Sequence, residues 1–178
     1  MFLLRSLKVI GSLVVVNLFC FLNYSNVILY MESYDFSRST HYTASVFVLK
    51  DNKVLMLKQT KSKFWLLPGG HIDDGELPHE AAIREVKEET NLDIEILQVP
   101  DLGAKTEIAT PLPVPFAMRL LPCRDKNDID SVFTAKVIGG ELKIDDESEE
   151  AKWFTKEELF SNPAVGPNTR YYASLIFK

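Results

Sequence analysis

The stretch from Pro78 to Thr90 constrains the fold of this chain more than any other part of the sequence. Its residues recur with the spacing of an α-helix, and proline fits the first helical position because the N–H that it lacks would be unpaired there anyway. In a helix, residues three and four apart are neighbours, so Glu85, Glu88 and Glu89 fall on one narrow face. The sequence therefore predicts a helix over residues 78–90 with three carboxylates on one side.

Apolar residues within this segment indicate which sides of the helix are buried. Ile83 and Val86 point away from the glutamates and predict the stripe that packs against the core. Ala81 and Ala82 lie one turn before Glu85, on the carboxylate side. Because alanine is small, we expect these two residues to leave an open cleft beside the glutamates.

Three carboxylates on one helix face repel one another, by roughly a few tenths of a kcal/mol per pair on an exposed helix. Arg84 stands four residues before Glu88 and predicts a charge-assisted hydrogen bond to it. A divalent cation would offset the repulsion further, since Mg²⁺ prefers oxygen ligands and shares phosphate oxygens with substrates. The competing interpretation is an acidic helix face that is simply solvated.

A longer pattern, from Gly70 to Leu92, resembles the Nudix box. That motif is a glycine, five residues, a glutamate, seven residues, and then arginine, glutamate, an aliphatic residue, any residue, two glutamates, any residue, glycine and an aliphatic residue. The matching residues are Gly70, Glu76, Arg84, Glu85, Val86, Glu88, Glu89 and Leu92. Asn91 replaces the second glycine, and we expect it in the left-handed conformation that ends a helix, where asparagine is the next best residue after glycine.

The start of the predicted helix also departs from the usual pattern. Leu77 precedes Pro78, where serine or threonine would be the better N-cap because its side chain accepts a hydrogen bond from the first turn. We therefore expect a less stable helix start, without a loss of activity.

The resemblance covers approximately residues 40–160 and implies a fold of the α/β class, an α/β/α sandwich around a mixed β-sheet, with the box as loop, helix and loop. It also implies a set of site residues. The metal ligands would be carboxylates of one helix face and one backbone carbonyl, those of Glu85, Glu88, Glu89 and Gly69. The residues that orient the loop and the helix would be Gly70, Glu76 and Arg84, of which Arg84 also counts among the catalytic residues.

The activity that the resemblance implies is metal-dependent cleavage of a phosphoanhydride (pyrophosphate) bond. The substrate would be a nucleoside diphosphate linked to another moiety, or a nucleoside triphosphate. The products would be a nucleoside monophosphate with a phosphorylated fragment or with pyrophosphate. A water activated by Mg²⁺, or alternatively by Mn²⁺, would attack one phosphorus.

The general base stays open, because Glu85 serves in some relatives and a glutamate from a later loop serves in others. Acidic residues suited to the second role form one run: Asp145, Asp146, Glu147, Glu149 and Glu150. The alternative interpretation of this run is a solvated loop.

Two other functions remain open. A non-catalytic Nudix module that senses a nucleotide would usually lack a box carboxylate, and this chain retains them. RNA decapping is disfavoured by the net charge of −5 and by the absence of a basic stripe, since RNA binding uses clustered lysine and arginine. We therefore expect a small nucleotide-derived substrate and no extended nucleic acid as partner. The oligomeric state is open, with a homodimer as one option.

Outside the box, Trp65 and Phe116 are candidates for stacking on a nucleobase, although a place in the core is the commoner role of such aromatic residues. His71 and His79 flank the acidic loop. Neither has a histidine partner at metal-binding spacing in the sequence, so we interpret both as surface or supporting residues.

Runs rich in β-forming residues predict the sheet. A hairpin is expected from His41–Leu49 and Val54–Gln59 around the turn Asp51-Asn52-Lys53. Further strands are expected at Leu92–Val99, at Leu112–Leu121 as an edge strand because of its prolines, and at Ser131–Ile138 up to Gly139-Gly140. Lys156–Phe160 predicts the beginning of a short helix, and Tyr171–Phe177 closes the chain.

The N-terminal part differs from the rest of the chain. Residues 9–31 carry no charged side chain, and Arg5 and Lys8 stand just before them. Three interpretations remain: translation that starts at Met31, a signal or membrane anchor, and a packed element. We divide the chain into a hydrophobic segment, 1–35, and a Nudix hydrolase domain, 36–178.

Localisation depends on which interpretation holds. A start at Met31 would place the protein in the cytoplasm, whereas a genuine N-terminal segment would anchor it in a membrane or export it. Membrane contact is expected only through residues 9–31.

Overall fold

The computed structural model of the chain describes residues 37–61, 63–97, 110–123 and 125–177. The hydrophobic run 9–31, and with it the expected segment 1–35, lies outside these described residues. Within the described residues, no helix is long and apolar enough to cross a membrane.

The described residues form eight strands and three helices around one sheet. The strands are β1 Ser39–Lys50, β2 Lys53–Gln59, β3 Trp65–Leu66, β4 Gly69–His71, β5 Leu92–Ile96, β6 Ala117–Pro122, β7 Lys126–Gly140 and β8 Ser148–Phe154. The helices are α1 Pro78–Thr90, α2 Lys156–Ser161 and α3 Pro167–Ile176. The predicted helix over residues 78–90 is confirmed with both of its ends.

Strands β1 and β7 form the centre of the sheet. They pair in parallel from Ser39 beside Lys126 to Leu49 beside Lys136. The strand order is β3-β2-β1-β7-β5, with β4 on β1, β6 on β7 and β8 on β2, and these other pairs are antiparallel. The sheet is therefore mixed, as expected.

The predicted hairpin between β1 and β2 is confirmed. Asp51 and Asn52 both have positive φ angles, of 49° and 58°, as a two-residue type I′ hairpin turn requires. Asn91 likewise ends α1 in the left-handed conformation, with φ 56° and ψ 13°. In both places, asparagine supplies a backbone conformation that most side chains avoid.

Helices cover both faces of the sheet. Ala81, Ala82 and Val86 of α1 are fully buried against the face that Val46 and Phe133 present. On the opposite face, Leu159 of α2 and Ala173 of α3 pack against Phe47 and Phe154, among others. The expected α/β/α sandwich around a mixed sheet is therefore confirmed.

The buried stripe of α1 differs from the prediction. Ala81 and Ala82 do not line an open cleft, because both lie in the core, while Ile83 is 39% exposed and only Val86 of the predicted pair is buried. The small alanines let α1 approach the sheet closely, and the stripe centred on them continues to Glu89, which is 7% exposed. The glutamates thus lie at the margin of the packed face.

Two further differences concern strands. The end of the acidic run, at Glu149 and Glu150, does not lie in a solvated loop. It belongs to strand β8, which pairs with β2. The predicted edge strand within Leu112–Leu121 begins only at Ala117, because prolines precede it, and it pairs with β7.

Gly75 and Gly140 have the same φ of 84°, so alanine substitutions at the two positions can be compared to measure how tightly the end of α1 packs on β7. A Cβ on Gly140 would lie 2.3 Å from the carbonyl oxygen of Asn91, whereas a Cβ on Gly75 would meet nothing within 4 Å. We expect Gly75→Ala to lower the free energy of unfolding by about 1 kcal/mol through backbone strain alone. Gly140→Ala should lower it by a further ~1–3 kcal/mol, because of overpacking. Urea unfolding measures both, and equal losses would contradict the packing described.

Candidate active site

The glutamate face of α1 lies against Gly69 and Gly70, the first two residues of β4. The N–H of Gly69 donates to Glu89 Oε2 over 2.8 Å. A Cβ on Gly70 would lie only 2.5 Å from Glu85 Oε1, so a larger residue there would displace the Glu85 carboxylate. Gly69 has φ 148°, and a Cβ there would lie 2.2 Å from the carbonyl oxygen of Ala44. Gly70 therefore allows α1 to approach β4, and Gly69 allows β4 to approach β1.

Arg84 is the centre of the hydrogen bonds in this region. Its Nε and Nη2 donate to the two carboxylate oxygens of Glu76 over 2.8 and 2.9 Å. Its Nη1 donates to Glu85 Oε1 over 2.9 Å and to Glu88 Oε2 over 3.1 Å, and Nη2 also donates to the carbonyl oxygen of His71 over 3.0 Å. These bonds use the full donor capacity of a guanidinium, so the side chain holds the loop before α1 and two of its glutamates together.

The carboxyl groups of α1 experience unequal surroundings. Burial raises the pKa of Glu89 to about 8; the N–H of Gly69 opposes this rise, while the charges of Glu85, Asp145 and Glu147 add to it. Burial also raises the pKa of Glu85, even though Arg84 opposes it. The hydrogen bond from Arg84 lowers the pKa of Glu76. Without a cation, burial therefore makes the ionised form of Glu89 unfavourable at neutral pH.

The glutamates are held apart by these partners. Among the described residues, three side chains whose metal-ligand atoms lie within 4.8 Å of one another are His41, His71 and Asp128, not the three glutamates. Arg84 binds Glu85 and Glu88, whereas the Gly69 N–H binds Glu89.

The chemistry of the glutamate face nevertheless fits a hard divalent cation. Its donors are carboxylate oxygens with free lone pairs on one helix face, and the buried Glu89 is hydrogen-bonded by a backbone N–H without an opposite charge on it. A cation that binds oxygen would stabilise the ionised form of this buried carboxylate.

Members of the later acidic run lie in different surroundings. Glu149 forms ion pairs with Lys63 and Lys58, and its pKa is lowered by the hydrogen bond with Lys63. The charges of Asp145 and Glu147, in contrast, act on Glu89. Asp145 also accepts a hydrogen bond from the N–H of Glu147, which fixes this loop.

The aromatic candidates occupy different positions. Trp65 is 7% exposed and contacts Phe154 edge to face, so the core interpretation is the correct one. Phe116 is half-buried and contacts Tyr172 edge to face.

His71 is exposed, as the surface interpretation expects, but it is not isolated from other histidines. His71 does have a histidine partner, because the ring of His41 lies 5.7 Å from it, centre to centre. The two histidines are thirty residues apart in the sequence and meet only through the pairing of β1 with β4. A spacing rule within one segment could not reveal them, and only the strand register does.

The burial of Glu89 should make the stability of the metal-free protein depend on pH. Since its pKa is raised from 4.5 to about 8, the folded state favours the uncharged carboxyl. The stability gained from this preference is complete below pH 4.5 and is lost as the pH rises through 8. In the presence of a chelator, Glu89→Gln should remove this loss, on the order of a few kcal/mol, and should unfold at a higher temperature than the natural chain at pH 8 to 9.

Glu88→Gln is the matched control for that measurement, because the Glu88 side chain on the same helix is 59% exposed. It should retain the pH dependence of the natural chain. A Glu89→Gln protein whose melting temperature falls with pH as steeply as that of the natural chain would contradict the assignment.

Comparison with known proteins places the chain in a family. The NUDIX domain model matches residues 39–175. An ADP-ribose pyrophosphatase of Methanocaldococcus jannaschii is 36% identical over 115 residues, which are 62% of this chain and 59% of the relative. An 8-oxo-dGTP diphosphatase of Proteus vulgaris is 36% identical over 61 residues, 32% of this chain and 54% of the relative. The chain thus spans less than two thirds of the length of either curated relative.

A solved structure gives the same result for the fold. A NUDIX family hydrolase from Clostridium perfringens is 31% identical and superposes with a TM-score of 0.68, over 78% of this chain and 98% of that one. The matched region includes the whole arrangement of Arg84, Glu76 and the three glutamates of α1. From its sequence and its fold, the chain belongs to the NUDIX domain family.

Proposed function

We propose that this chain is a metal-dependent hydrolase that cleaves a phosphoanhydride bond in a small nucleotide-derived substrate. The observation that carries the proposal is the glutamate face of α1, which is tied to β4 by the bond from the Gly69 N–H to Glu89 and by the bond from Arg84 to the His71 carbonyl oxygen. The family to which the chain belongs supports the same reaction class. We assign the hydrolase domain to residues 36–178, on the support of the match over 39–175 and of the compact unit Arg38–Lys178.

Metal binding is assigned to the carboxylates of Glu85, Glu88 and Glu89 and to the carbonyl oxygen of Gly69. A divalent cation held there, with Mg²⁺ as the first choice and Mn²⁺ as the alternative, would neutralise charge on a diphosphate and lower the pKa of a bound water. Glu88 is exposed, Glu85 is half-buried and Glu89 is buried, so the set extends from the core to solvent.

Arg84 and Glu76 are assigned a positioning role. Two parallel hydrogen bonds join them, and the remaining donors of Arg84 hold Glu85, Glu88 and the backbone of His71. Because these bonds fix the carboxylates relative to the loop before α1, the helix and the loop act as one rigid unit. Gly70 contributes by leaving space for the Glu85 side chain.

We propose three of the open candidates as the proton acceptor for the attacking water. Glu85 is a candidate from within the box, and its raised pKa brings it nearer to neutrality. Asp145 and Glu147 are candidates from the later loop, since their charges act on Glu89. Glu149 is engaged by two lysines, and we therefore assign it a structural role.

The substrate class is a nucleoside diphosphate derivative or a nucleoside triphosphate. The named activities of the two curated relatives fall into these two groups, one for each. The chain itself is acidic, with a net charge of −5, which favours a small substrate delivered with its cation over extended RNA. Both groups belong in the first assay.

The activity is tested by incubation with Mg²⁺ and a panel that includes ADP-ribose and 8-oxo-dGTP, with products identified by mass. We expect a nucleoside monophosphate as product. Glu88→Gln and Glu89→Gln should each lower the turnover by at least about 100-fold while the protein stays folded, because a ligand of the cation is lost. Glu95→Gln, on β5 in an exposed ion pair with Lys136, is the control that should keep full turnover.

Full turnover in both box variants would contradict the metal assignment. Ligand-induced thermal stabilisation without any product across the panel would instead identify a nucleotide-sensing module. Binding of capped RNA at physiological salt, followed by release of the cap, would identify a decapping enzyme.

The proton acceptor is tested by Asp145→Asn and Glu147→Gln, with Glu149→Gln as the control. Removal of a general base should lower kcat by about 10²- to 10⁴-fold and abolish the acidic limb of the pH profile. We expect this loss in one of the two loop variants or, if both keep their turnover, in Glu85→Gln. A loss in Glu149→Gln as large as in the other variants would contradict the structural role assigned to Glu149.

A further inference from the structure

A second cluster of chemically active side chains lies outside the glutamate face. It consists of His41, His71 and Asp128, which come from three different strands. In the parallel pair of β1 and β7, His41 stands directly beside Asp128. In the antiparallel pair of β1 and β4, His71 stands opposite Thr43, two residues along β1 from His41. The register of the sheet therefore brings the three side chains to one place.

The cluster lies on the side of the sheet opposite α1. Ala44 and Val46 of β1 pack in the core cluster that contains the buried residues of α1. Because side chains alternate along a strand, His41 and Thr43 point to the other face. The hydrogen bond from Thr43 Oγ1 to Asp130, two residues after Asp128 on β7, shows that both strands present these residues to the same face. The cluster therefore shares no ligand with the glutamates.

The spacing of the cluster fits one metal ion. One ligand atom from each side chain lies within 4.8 Å of the others. Ligands that share a zinc ion, with bonds of about 2.0–2.2 Å, lie up to about 4 Å apart, so small side-chain rotations suffice. Two imidazoles and one carboxylate are a donor set that suits borderline transition metals better than Mg²⁺.

An unsatisfied oxygen points to a missing ligand independently of the spacing. Asp128 is 9% exposed, and its Oδ1 is a buried atom that accepts no hydrogen bond within the described part of the chain. The other oxygen, Oδ2, lies 3.3 Å from Cys123 Sγ, which donates to it. A buried carboxylate oxygen without a hydrogen-bond donor costs free energy. The Lys126 ammonium, 3.5 Å from this oxygen, offers it a positive charge but no hydrogen bond.

Lys126 shows that a positive charge is accommodated here. Its Nζ lies 2.7 Å from His71 Nε2 and 3.5 Å from Asp128 Oδ1. An ammonium group has only donors, so His71 Nε2 must accept through its lone pair. His71 thus presents to a cation the lone pair that a metal would use. A metal ion that takes this place must displace the Lys126 ammonium.

We propose that His41, His71 and Asp128 form a binding site for a borderline divalent transition metal of the Zn²⁺ type. Three protein ligands leave a fourth position open to water or to another ligand. The bound ion would tie β1, β4 and β7 together. The site does not depend on the hydrolase activity, and each can fail without the other.

The chain offers an unusually clear test, because it has three histidines and only His79 lies outside the cluster. The full chain without a histidine tag, carrying Glu88→Gln to weaken the glutamate face, is labelled with ¹⁵N-histidine and titrated with Zn²⁺. We expect the ring-nitrogen resonances of His41 and His71 to shift and that of His79 to stay. His79→Ala is the matched control and should bind Zn²⁺ as the parent does.

Substitutions in the cluster supply the second measurement. His71→Ala, at an exposed position, should raise the dissociation constant for Zn²⁺ by at least about tenfold, and Asp128→Asn should do the same. Lys126→Met should lower it, since the competing ammonium is gone. Co²⁺ can be bound in place of Zn²⁺. The visible absorption spectrum of the bound Co²⁺ then checks that nitrogen ligands are used.

Several results would overturn the proposal. These are an excess of Zn²⁺ that shifts neither His41 nor His71, a shift of His79 alone, and an unchanged dissociation constant in His71→Ala. The titration follows histidine resonances, not turnover, so an inactive protein that shows the expected shifts would still support the metal site.

Discussion

The network of hydrogen bonds donated by Arg84 is the interaction on which the rest of the site depends. One guanidinium holds Glu76 in the loop before α1, Glu85 and Glu88 on the helix, and the backbone of His71 at the end of β4. Lysine could not replace it, because an ammonium lacks the planar set of donors. Gly70 contributes because, without a side chain, it lets α1 lie close to β4. The glutamates of α1, which repel one another, are thus held in place against the sheet.

Much of this arrangement could be predicted from the sequence. The ends of α1, the left-handed Asn91 and the hairpin turn at Asp51 and Asn52 are local features, and local rules describe them well. The bond from Arg84 to Glu88 follows from helical spacing, whereas its bonds to Glu76 depend on how the loop folds back. The mixed sheet between helices followed from the family resemblance rather than from the strands themselves.

What the sequence could not supply was tertiary in origin. The predicted buried side of α1 is wrong in part. Hydrophobicity alone favours the burial of Ile83, but close packing on the sheet buries the small residues Ala81 and Ala82 instead. The meeting of His41 with Asp128 depends on the register of two strands that are far apart in the chain, and a one-residue shift would separate them. Patterns within one segment carry no information on such a register.

We infer that the carboxylates of Glu85, Glu88 and Glu89 gather around a divalent cation. Crystals grown with Mn²⁺ and a non-hydrolysable diphosphate substrate analogue test it most directly through the anomalous scattering of manganese. We expect a peak between these carboxylates and the analogue, with the Gly69 carbonyl oxygen turned to the ion. The inference would be contradicted if the manganese peak lay elsewhere or were absent, and if the glutamates kept their hydrogen bonds to Arg84 and to the Gly69 N–H.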